Sequence, residues 1–393
     1  MTPLRLALVT RRFWPMPGGI EHTLARVCDE LVRRGHRVVV FTPRSQSDWP
    51  TETDRNGVRI RRLEPSGGRW WGEARYLRRL QRAVFADEPQ AVITLGLRTD
   101  AYAVLGAAGQ RGVPVILQPE RPGLAGDCHW QIEARCGARI KRRCYSAAGY
   151  AAMTPLLERE LIAAGYPRPR IRPIPLGVPI GESTSLGARI EARRSLASAD
   201  PALGVDTPGK LVVCVGRLRM GRGIDVLLRA WQQLVQRRTD ALLWYVGEGP
   251  DAADLRERVF ELGLLSSVRL TGAFDDVEDV FRAADVAVFP TLEDGLSVGL
   301  LEAASFSLPI VASDITTHRE FVADGAEGRL YPKNDVDALA AALNEALADT
   351  VGSQLGEAAR RRIAAEHSTG NMVDAYEQLL RDVSAKSSGR AAS

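Results

Sequence analysis

The feature that most constrains the fold is an alternation of short apolar segments with helical patterns, which stops and then restarts. It begins with segments such as LRLALVT (4–10), HRVVVFTP (36–43) and AVITLG (91–96). After a polar stretch it resumes at LVVCVG (211–216) and continues to LPIVAS (308–313). Buried strands alternating with helices are typical of βαβ units and parallel sheets. The sequence therefore predicts an α/β protein with two doubly wound, Rossmann-like domains.

The interruption of this pattern sets the predicted domain boundaries. We expect a first domain over 1–180, a linker over 181–209 that is rich in Gly, Ser and Pro, and a second domain over 210–366. An amphipathic segment, 367–383, predicts a C-terminal helix that packs back toward the first domain, and 384–393 predicts a disordered tail. Two such sheets would present the carboxyl ends of their strands to a central cleft, where open α/β sheets bind ligands.

Charge is distributed unevenly along the chain. Residues 1–180 contain 29 Lys and Arg against 16 Asp and Glu, a net charge of +13, whereas the remainder contains 23 against 32, a net charge of −9. The basic half is expected to meet something anionic, such as a phosphorylated substrate or a membrane surface. Because no nucleic-acid-binding module is recognised, a nucleic-acid partner is not expected.

The cysteines and the apolar segments indicate the cellular compartment of the protein. The five cysteines are an odd, low number for 393 residues, which favours a reducing environment. Cys128, Cys136 and Cys144 do not have a usual zinc-ligand spacing, so no metal site is predicted. The short apolar N-terminal run and the lack of an 18-residue apolar stretch predict a cytoplasmic protein.

Three loops carry residues suited to a phosphorylated ligand. Arg217 and Arg222 follow a predicted strand and precede a helix, so they could hold a diphosphate; the alternative is two solvated surface arginines. Gly18 and Gly19 precede another helix, and Gly247 lies in a Gly-Glu-Gly turn; ordinary turns explain these glycines equally well.

The segment TLEDGLSVGLLEAASFSLPIVASD (291–314) carries the most specific pattern. It predicts a loop after a strand and a helix that starts near Ser297, a good N-cap residue. Glu302 falls about one turn into this helix, among small and apolar residues. A buried carboxylate without a partner is costly, so the pattern favours a ligand contact for Glu302. Asp294, in the loop, could reach a sugar hydroxyl.

Taken together, these motifs resemble the GT-B glycosyltransferases of retaining family 4. The family signature has two Glu separated by seven residues, and here it reads DGLSVGLLEAASFSLPIVAS (294–313), with Asp294 replacing the first Glu. VGRLRMGRGIDVLLRAW (215–231) also fits, although the family usually has Lys at Arg222. Further matches are at 11–42, 174–180 and 317–343, so that the resemblance extends over about the whole chain.

The resemblance implies specific roles for these residues. Arg217 and Arg222 would hold the diphosphate of a nucleotide-sugar donor, Glu302 would bind its ribose, and Asp294 would bind its sugar. The catalytic residues would be Arg217, Arg222 and Asp294. The sugar would be transferred with retention and without a metal or other cofactor. The remaining donor-binding residues would be Gly18, Gly19, Gly247, Glu293, Gly295, Leu296, Ser297 and Val298, with Glu293 able to take over from the short Asp294.

One departure concerns a histidine that many relatives have after the fourth strand of the first domain. Here the segment is LQPERPGLAGD (117–127), so Gln118, Glu120 and Asp127 become the acceptor-side candidates. The acceptor is expected to be a glycan or lipid-linked precursor of a cell-surface polysaccharide. The basic, amphipathic segment 69–85 could make peripheral contact with the inner membrane face; alternatively, its apolar stripe packs into the core.

Two other functions remain compatible with the sequence. One is a sugar-nucleotide epimerase of the same architecture, and the other is a non-catalytic subunit that binds sugar nucleotides. The pattern at 293–302 and the Arg217/Arg222 pair favour the transferase.

Overall fold

The computed structural model describes residues 3–16, 18–65, 69–181, 185–205, 209–274 and 276–391. The chain divides into two compact units. The first consists of Met1–Gly177 with Thr369–Ser393, and the second of Val178–Ser368.

The first unit contains one eight-stranded sheet. Its strands are β1 (Arg5–Val9), β2 (Arg37–Pro43), β3 (Glu52–Arg55), β4 (Val58–Leu63), β5 (Ala91–Leu95), β6 (Val115–Gln118), β7 (Gly149–Ala152) and β8 (Ile171–Pro173). They lie in the order β3-β4-β2-β1-β5-β6-β7-β8, and every pairing is parallel except that of β3 with β4. The central strands are almost fully buried, as in parallel sheets covered by helices on both faces.

Six helices connect these strands. They are α1 (Gly19–Arg33), α2 (Arg69–Ala86), α3 (Thr99–Gly109), α4 (Asp127–Glu133), α5 (Gly137–Cys144) and α6 (Pro155–Ala163). The apolar stripe of α2 lies in the core, since Tyr76, Leu80 and Val84 are at most 3 % exposed. Packing of this stripe into the core is the alternative that the sequence left open. Only the basic face of α2 and the exposed Trp71 are then available for contact with a membrane. Across the described ranges, no helix combines the length and apolarity needed to cross a membrane.

The second unit contains a six-stranded sheet that is parallel throughout. Its strands are β9 (Lys210–Val215), β10 (Ala241–Val246), β11 (Val268–Gly272), β12 (Val286–Phe289), β13 (Ile310–Ser313) and β14 (Gly328–Tyr331), in the order β11-β10-β9-β12-β13-β14. Its helices are α7 (Leu186–Ala199), α8 (Ile224–Val235), α9 (Ala252–Glu261), α10 (Glu278–Ala283), α11 (Val298–Ser305), α12 (Thr316–Phe321), α13 (Val336–Ala346) and α14 (Asp349–Glu366). Trp231 and Tyr245 are completely buried in its core.

The segment predicted as a linker is part of the second unit. About half of 181–209 forms α7, and two of its arginines bind the residue just before β12: Arg189 and Arg193 both pair with Asp285, at 2.9 and 2.6 Å. Arg193 also donates to the carbonyl oxygens of Ala283 and Gly209. These contacts, which local composition does not reveal, attach the segment to the second sheet.

The last helix, α15 (Thr369–Ala391), belongs to the first unit. Met372, Tyr376 and Leu380 are buried there. Nε2 of His36 lies 2.9 Å from the Glu377 carboxylate, which links the helix to the residue just before β2. The sequence predicts a disordered tail over 384–393, whereas the structure continues α15 to Ala391. Extending an existing helix costs little, and no proline interrupts it.

Candidate functional site

The topology of the second sheet indicates where a ligand would bind. Open parallel sheets bind ligands beyond the carboxyl ends of their strands, where the strand order reverses. Here it reverses between β9 and β12. We therefore define the switch-point site as the loops after these strands, residues 216–223 and 290–297, together with the start of α12, residues 316–318.

Two glycines allow the loops of this edge to approach each other closely. Gly223 has a φ of +68°, and a Cβ atom there would lie 2.0 Å from the Pro290 carbonyl oxygen. At Gly247, with a φ of +136°, a Cβ atom would lie 2.1 Å from the Gly216 carbonyl oxygen. No side chain fits at either position. Backbone packing thus suffices to explain Gly247, whose donor-binding role stays a prediction.

Arg217 and Arg222 lie on one loop at the carboxyl edge of the sheet. Arg217 follows β9 by two residues, is exposed, and forms no hydrogen bond or ion pair with any residue that the structure describes. Arg222 is also exposed and ends the short 3₁₀ turn Met220–Arg222, immediately before Gly223. Two exposed guanidinium groups on a turn that leads into a helix are suited to binding an anion.

Glu293 is held by a residue that the sequence analysis did not identify. Its carboxylate pairs with Nη2 of Arg219 at 2.6 Å, which joins the two loops of the site. The backbone N–H of Leu292 also donates to the Gly221 carbonyl oxygen at 3.4 Å. Glu293 is therefore paired within the protein in this structure, and its substitution for Asp294 at the donor sugar stays a prediction.

Asp294 is bound by the first turn of α12. Its Oδ1 atom accepts hydrogen bonds from the backbone N–H of Thr317 at 3.0 Å and from the Thr317 hydroxyl at 3.1 Å. The neighbouring N–H, that of Gly295, donates to the same hydroxyl oxygen at 3.5 Å. Thr317 was not among the predicted site residues, since nothing local distinguishes it from other buried threonines.

The helix expected near Ser297 is present as α11, but its start differs from the prediction. Ser297 occupies the N-cap position in a left-handed conformation, with a φ of 43°, and its hydroxyl does not cap the helix. A non-glycine residue in this region carries a strain of about 1 kcal/mol or more. Leu296 and Val298 on either side are buried, so their contribution to a ligand contact would come from the backbone.

Glu302 lies one turn into α11, between the buried residues Leu301 and Ala303. It is itself only half-buried, so its carboxylate is more accessible than the apolar flanking sequence indicates. The Ser305 hydroxyl donates to the backbone carbonyl oxygen of Glu302 at 2.7 Å, so the Glu302 carboxylate takes no part in that hydrogen bond.

His318, which the sequence analysis did not single out, is a buried neutral group behind the site. It is 1 % exposed, and its Nδ1 atom lies 2.8 Å from the Ser313 carbonyl oxygen, which makes Nδ1 the protonated nitrogen. Burial lowers the pKa of His318 to about 4. The bond to Ser313 and the nearby Asp294 oppose this shift, whereas the charge of Arg222 adds to it.

In the first unit, Gln118 does not fit the predicted role on the acceptor side. Its side chain is fully buried at the end of β6. The amide oxygen accepts a hydrogen bond from the Tyr376 hydroxyl, and the amide nitrogen contacts the sulfur of Met153. Gln118 therefore attaches α15 to the sheet rather than facing a ligand.

Glu120 and Asp127 lie together at the carboxyl edge of the first sheet. Asp127 is buried, and its carboxylate accepts from Nε of Arg98 at 2.8 Å and from the Glu120 backbone N–H at 2.7 Å. The Glu120 carboxylate is not paired with any described residue. Burial raises the pKa of Glu120, and the neighbouring Asp127 carboxylate raises it further, whereas Arg98 and Arg121 lower it.

The glycine loop of the first unit packs against a carboxylate. Gly18 precedes α1, which begins at Gly19, and a Cβ atom on Gly18 would lie 2.1 Å from Oε2 of Glu21. Glu21 is buried and pairs with Arg12. The roles of Gly18 and Gly19 in donor binding stay predictions.

Among the residues that the structure describes, no group of three or more His, Cys, Asp or Glu side chains is arranged to hold a metal ion.

Two family models match the chain, one for each half. A model described as "Glycosyl transferase 4-like domain" matches residues 18–177, and one described as "Glycosyl transferases group 1" matches residues 209–349. The second match contains the whole switch-point site.

Curated relatives bear related names. A lipopolysaccharide core biosynthesis mannosyltransferase of Rhizobium meliloti is 31 % identical, over 47 % of this chain and 56 % of that protein. A GDP-mannose-dependent α-(1-6)-phosphatidylinositol monomannoside mannosyltransferase of Mycolicibacterium smegmatis is 26 % identical, over 88 % of this chain and 89 % of that protein.

Solved structures share the fold. The Anabaena protein HepE, in complex with UDP and glucose, superimposes with a TM-score of 0.77 at 16 % identity, over 96 % of this chain and 99 % of that one. The predicted architecture of two Rossmann-like domains in a GT-B fold is confirmed. The family matches favour the transferase hypothesis over the epimerase hypothesis. The chain belongs to the group 1 glycosyltransferases of the GT-B fold and is itself a glycosyltransferase.

Proposed function

We propose that this glycosyltransferase moves a hexosyl group from a nucleoside diphosphate sugar to a hydroxyl of a glycan or lipid-linked acceptor. In this proposal the configuration at the anomeric carbon is retained and no metal ion is required. The switch-point site binds the donor.

The observation that carries the proposal is the exposed pair Arg217 and Arg222 on the loop after β9. Arg217 has no carboxylate partner among the described residues, so its charge is available to an anion. A diphosphate provides several oxygens for guanidinium groups, and such charge-assisted hydrogen bonds are about twice as strong as neutral ones. The same contacts would supply charge compensation that a metal ion supplies in other transferases.

These arginines would also promote the chemical step. As the bond from the anomeric carbon to the diphosphate breaks, negative charge grows on the leaving group and its contacts with Arg217 and Arg222 strengthen. Interactions that are stronger in the transition state than in the ground state raise the rate. Attack by the acceptor oxygen on the face that the diphosphate leaves would give retention.

The other residues of the site would bind the rest of the donor. The half-buried Glu302 would accept hydrogen bonds from the ribose diol, and Asp294 would bind hydroxyls of the transferred sugar. The backbone of Leu296, Ser297 and Val298 would contact sugar and phosphate. The strained conformation of Ser297 supports this proposal, because strain of this kind is concentrated at functional sites.

The donor is proposed to be GDP-mannose, with UDP sugars as the next candidates. Both relatives described above are named mannosyltransferases, one of them GDP-mannose-dependent, whereas the solved HepE complex contains UDP. We propose that the acceptor is anionic or lipid-linked, since residues 1–180 carry a net charge of +13. The exposed Trp71 and the basic face of α2 would support peripheral contact with an anionic bilayer surface.

A thermal-shift panel of GDP-mannose, UDP-glucose, ADP-glucose and dTDP-glucose tests the donor proposal. A donor that binds the folded state raises the melting temperature by mass action. We expect one base to be preferred, and release of its nucleoside diphosphate to depend on an added acceptor. If none of the four sugars stabilises the protein, the proposal is wrong. Equal, negligible co-sedimentation with neutral and anionic liposomes would exclude the membrane contact.

A further inference from the structure

Thr317 makes an unusual set of contacts for a threonine in the first turn of a helix. It is completely buried in α12, a helix whose N-cap residue, Ile315, provides no side-chain cap. Both donate to Oδ1 of Asp294, a residue 23 positions earlier in the chain, at 3.1 and 3.0 Å. Threonine side chains usually bond to backbone groups within a few residues. The backbone bond satisfies an N–H group of the first helical turn, which has no partner within the helix. The hydroxyl bond is not needed for that purpose and holds the same carboxylate oxygen a second time.

The direction of each hydrogen bond shows how Thr317 fixes the loop. A hydroxyl has one hydrogen to donate, and here it goes to Asp294. Its oxygen then accepts from the Gly295 N–H at 3.5 Å. One buried residue thus holds both the carboxylate of Asp294 and the adjacent peptide. The second carboxylate oxygen, Oδ2, has no hydrogen-bond partner among the described residues.

A carboxylate that is held by one oxygen and left open at the other is suited to binding a ligand. Fixing the side chain in advance reduces the conformational entropy that binding would otherwise remove. Asp294 is partly exposed and lies in the loop at the carboxyl edge of the sheet. The hydroxyls of a sugar are hydrogen-bond donors that match this oxygen.

We infer that Thr317 is the positioning residue for donor-sugar recognition: its hydroxyl holds Asp294 so that Oδ2 faces the hydroxyls of the transferred sugar. This inference rests on the proposed function, because it requires that a nucleoside diphosphate sugar binds at the switch-point site. It adds one point to that proposal. The binding free energy that the sugar moiety contributes, as distinct from that of the nucleotide, depends on the contact between Thr317 and Asp294.

The test compares Thr317→Val, Thr317→Ser and the matched control Thr350→Val, which removes the hydroxyl of an exposed threonine at the second position of α14, outside the switch-point site. Calorimetry measures the affinity of each variant for GDP, GDP-mannose, UDP and UDP-glucose. The readout is the ratio of sugar-nucleotide affinity to nucleotide affinity. A merely structural role for Thr317 would lower both affinities together and leave this ratio unchanged.

We expect Thr317→Val to reduce the ratio about tenfold while the affinity for the nucleoside diphosphate stays the same, because one hydrogen bond to a charged group is lost. Thr317→Ser should restore the ratio, and Thr350→Val should leave it at the wild-type value. In an Asp294→Ala background, Thr317→Val should have no further effect.

The outcomes separate the two proposals. If the wild-type protein binds neither sugar nucleotide, the proposed function fails. If the wild-type protein binds one of them and Thr317→Val binds it with the wild-type ratio, or loses nucleotide affinity equally, the positioning role of Thr317 is overturned while the donor site stands.

Discussion

Arg219 and Glu293 connect the two loops of the switch-point site: Nη2 of Arg219 lies 2.6 Å from Oε2 of Glu293. Both side chains are about half exposed to solvent. Exposed ion pairs contribute only about 0–1 kcal/mol to the free energy of unfolding. The pair therefore affects the relative position of the loops after β9 and β12 more than the stability of the domain.

Replacing Arg219 by Met should weaken donor binding without unfolding the protein. We expect the KM for the donor to rise about two- to fivefold, which corresponds to about 1 kcal/mol or less, and the melting temperature to change by no more than about 3 °C. Glu293→Gln should have a similar effect. The double variant Arg219→Glu with Glu293→Arg should recover most of the lost affinity. If the exchanged pair is worse than either single variant, Glu293 or Arg219 contacts the donor directly.

Arg217 and Glu302 should respond differently to removal of their side chains. Arg217→Ala is expected to lower kcat about a hundredfold, because its contact with the diphosphate strengthens as the leaving group departs. Glu302→Ala is expected to lower donor affinity about ten- to a hundredfold, since two hydrogen bonds from the ribose are lost. Steady-state kinetics and calorimetry separate the two effects.

The controls for this pair are Arg237→Ala and Glu257→Ala, which remove exposed side chains of the same types elsewhere in the second unit. Both should behave as wild type. Unchanged donor affinity in Glu302→Ala would remove the ribose contact from the proposal, and normal turnover in Arg217→Ala would remove the leaving-group contact.

Much of the fold follows from local sequence patterns. The alternation of apolar and amphipathic segments indicates both sheets, and it correctly places Arg217 and Asp294 in the loops at their carboxyl edges. The edge hairpin β3–β4 was missed, although Asn56 and Gly57 form a two-residue turn with positive φ at both positions. An Asn-Gly turn is a strong hairpin signal. The many charged residues of β4 concealed the alternating burial that accompanies it.

The side-chain contacts of the site could not be predicted in the same way. Arg219 binds a partner 74 residues away, and Tyr376 binds Gln118 across 258 residues. Such pairs arise from the packing of whole elements, which local periodicity does not encode. The same holds for Thr317, whose role is visible only once β12 and β13 lie side by side.

The stability of the second unit should depend on pH through His318. Burial lowers the pKa of His318 to about 4, from 6.5 for a free imidazole. As the pH falls from 6.5 toward 4, the unfolded chain gains a proton that the folded protein does not bind, so the free energy of unfolding decreases. The loss is about 1.4 kcal/mol per pH unit and amounts to about 3 kcal/mol at pH 4.

Urea unfolding between pH 7 and pH 5 measures this slope. His318→Asn should be less stable at pH 7, because the buried ring is lost, but it should show a flatter dependence on pH. His129→Asn, which changes a partly exposed histidine of the first unit, should leave the slope of the second unit unchanged. An identical slope in wild type and His318→Asn would contradict the assignment.

The Glu120 carboxylate should lower the free energy of unfolding at neutral pH and should support acceptor-dependent turnover. Burial, Asp127 and Glu21 raise the pKa of Glu120, so the folded protein holds its proton to a higher pH than the unfolded chain. Stability is therefore lost as the pH rises from the ordinary pKa of Glu through the raised one, and Glu120→Gln should remove this loss. We expect Glu120→Gln to melt at a higher temperature than wild type at pH 7, with the difference vanishing below about pH 4.

Acceptor-dependent turnover of Glu120→Gln should fall, while its nucleotide affinity stays unchanged. Asp127→Asn is the contrasting variant: it removes the charge that pairs with Arg98, and its amide cannot accept both hydrogen bonds, so it should destabilise the protein by about 1–3 kcal/mol. If Glu120→Gln is destabilised as well, the carboxylate has a structural role and is not the acceptor-side group.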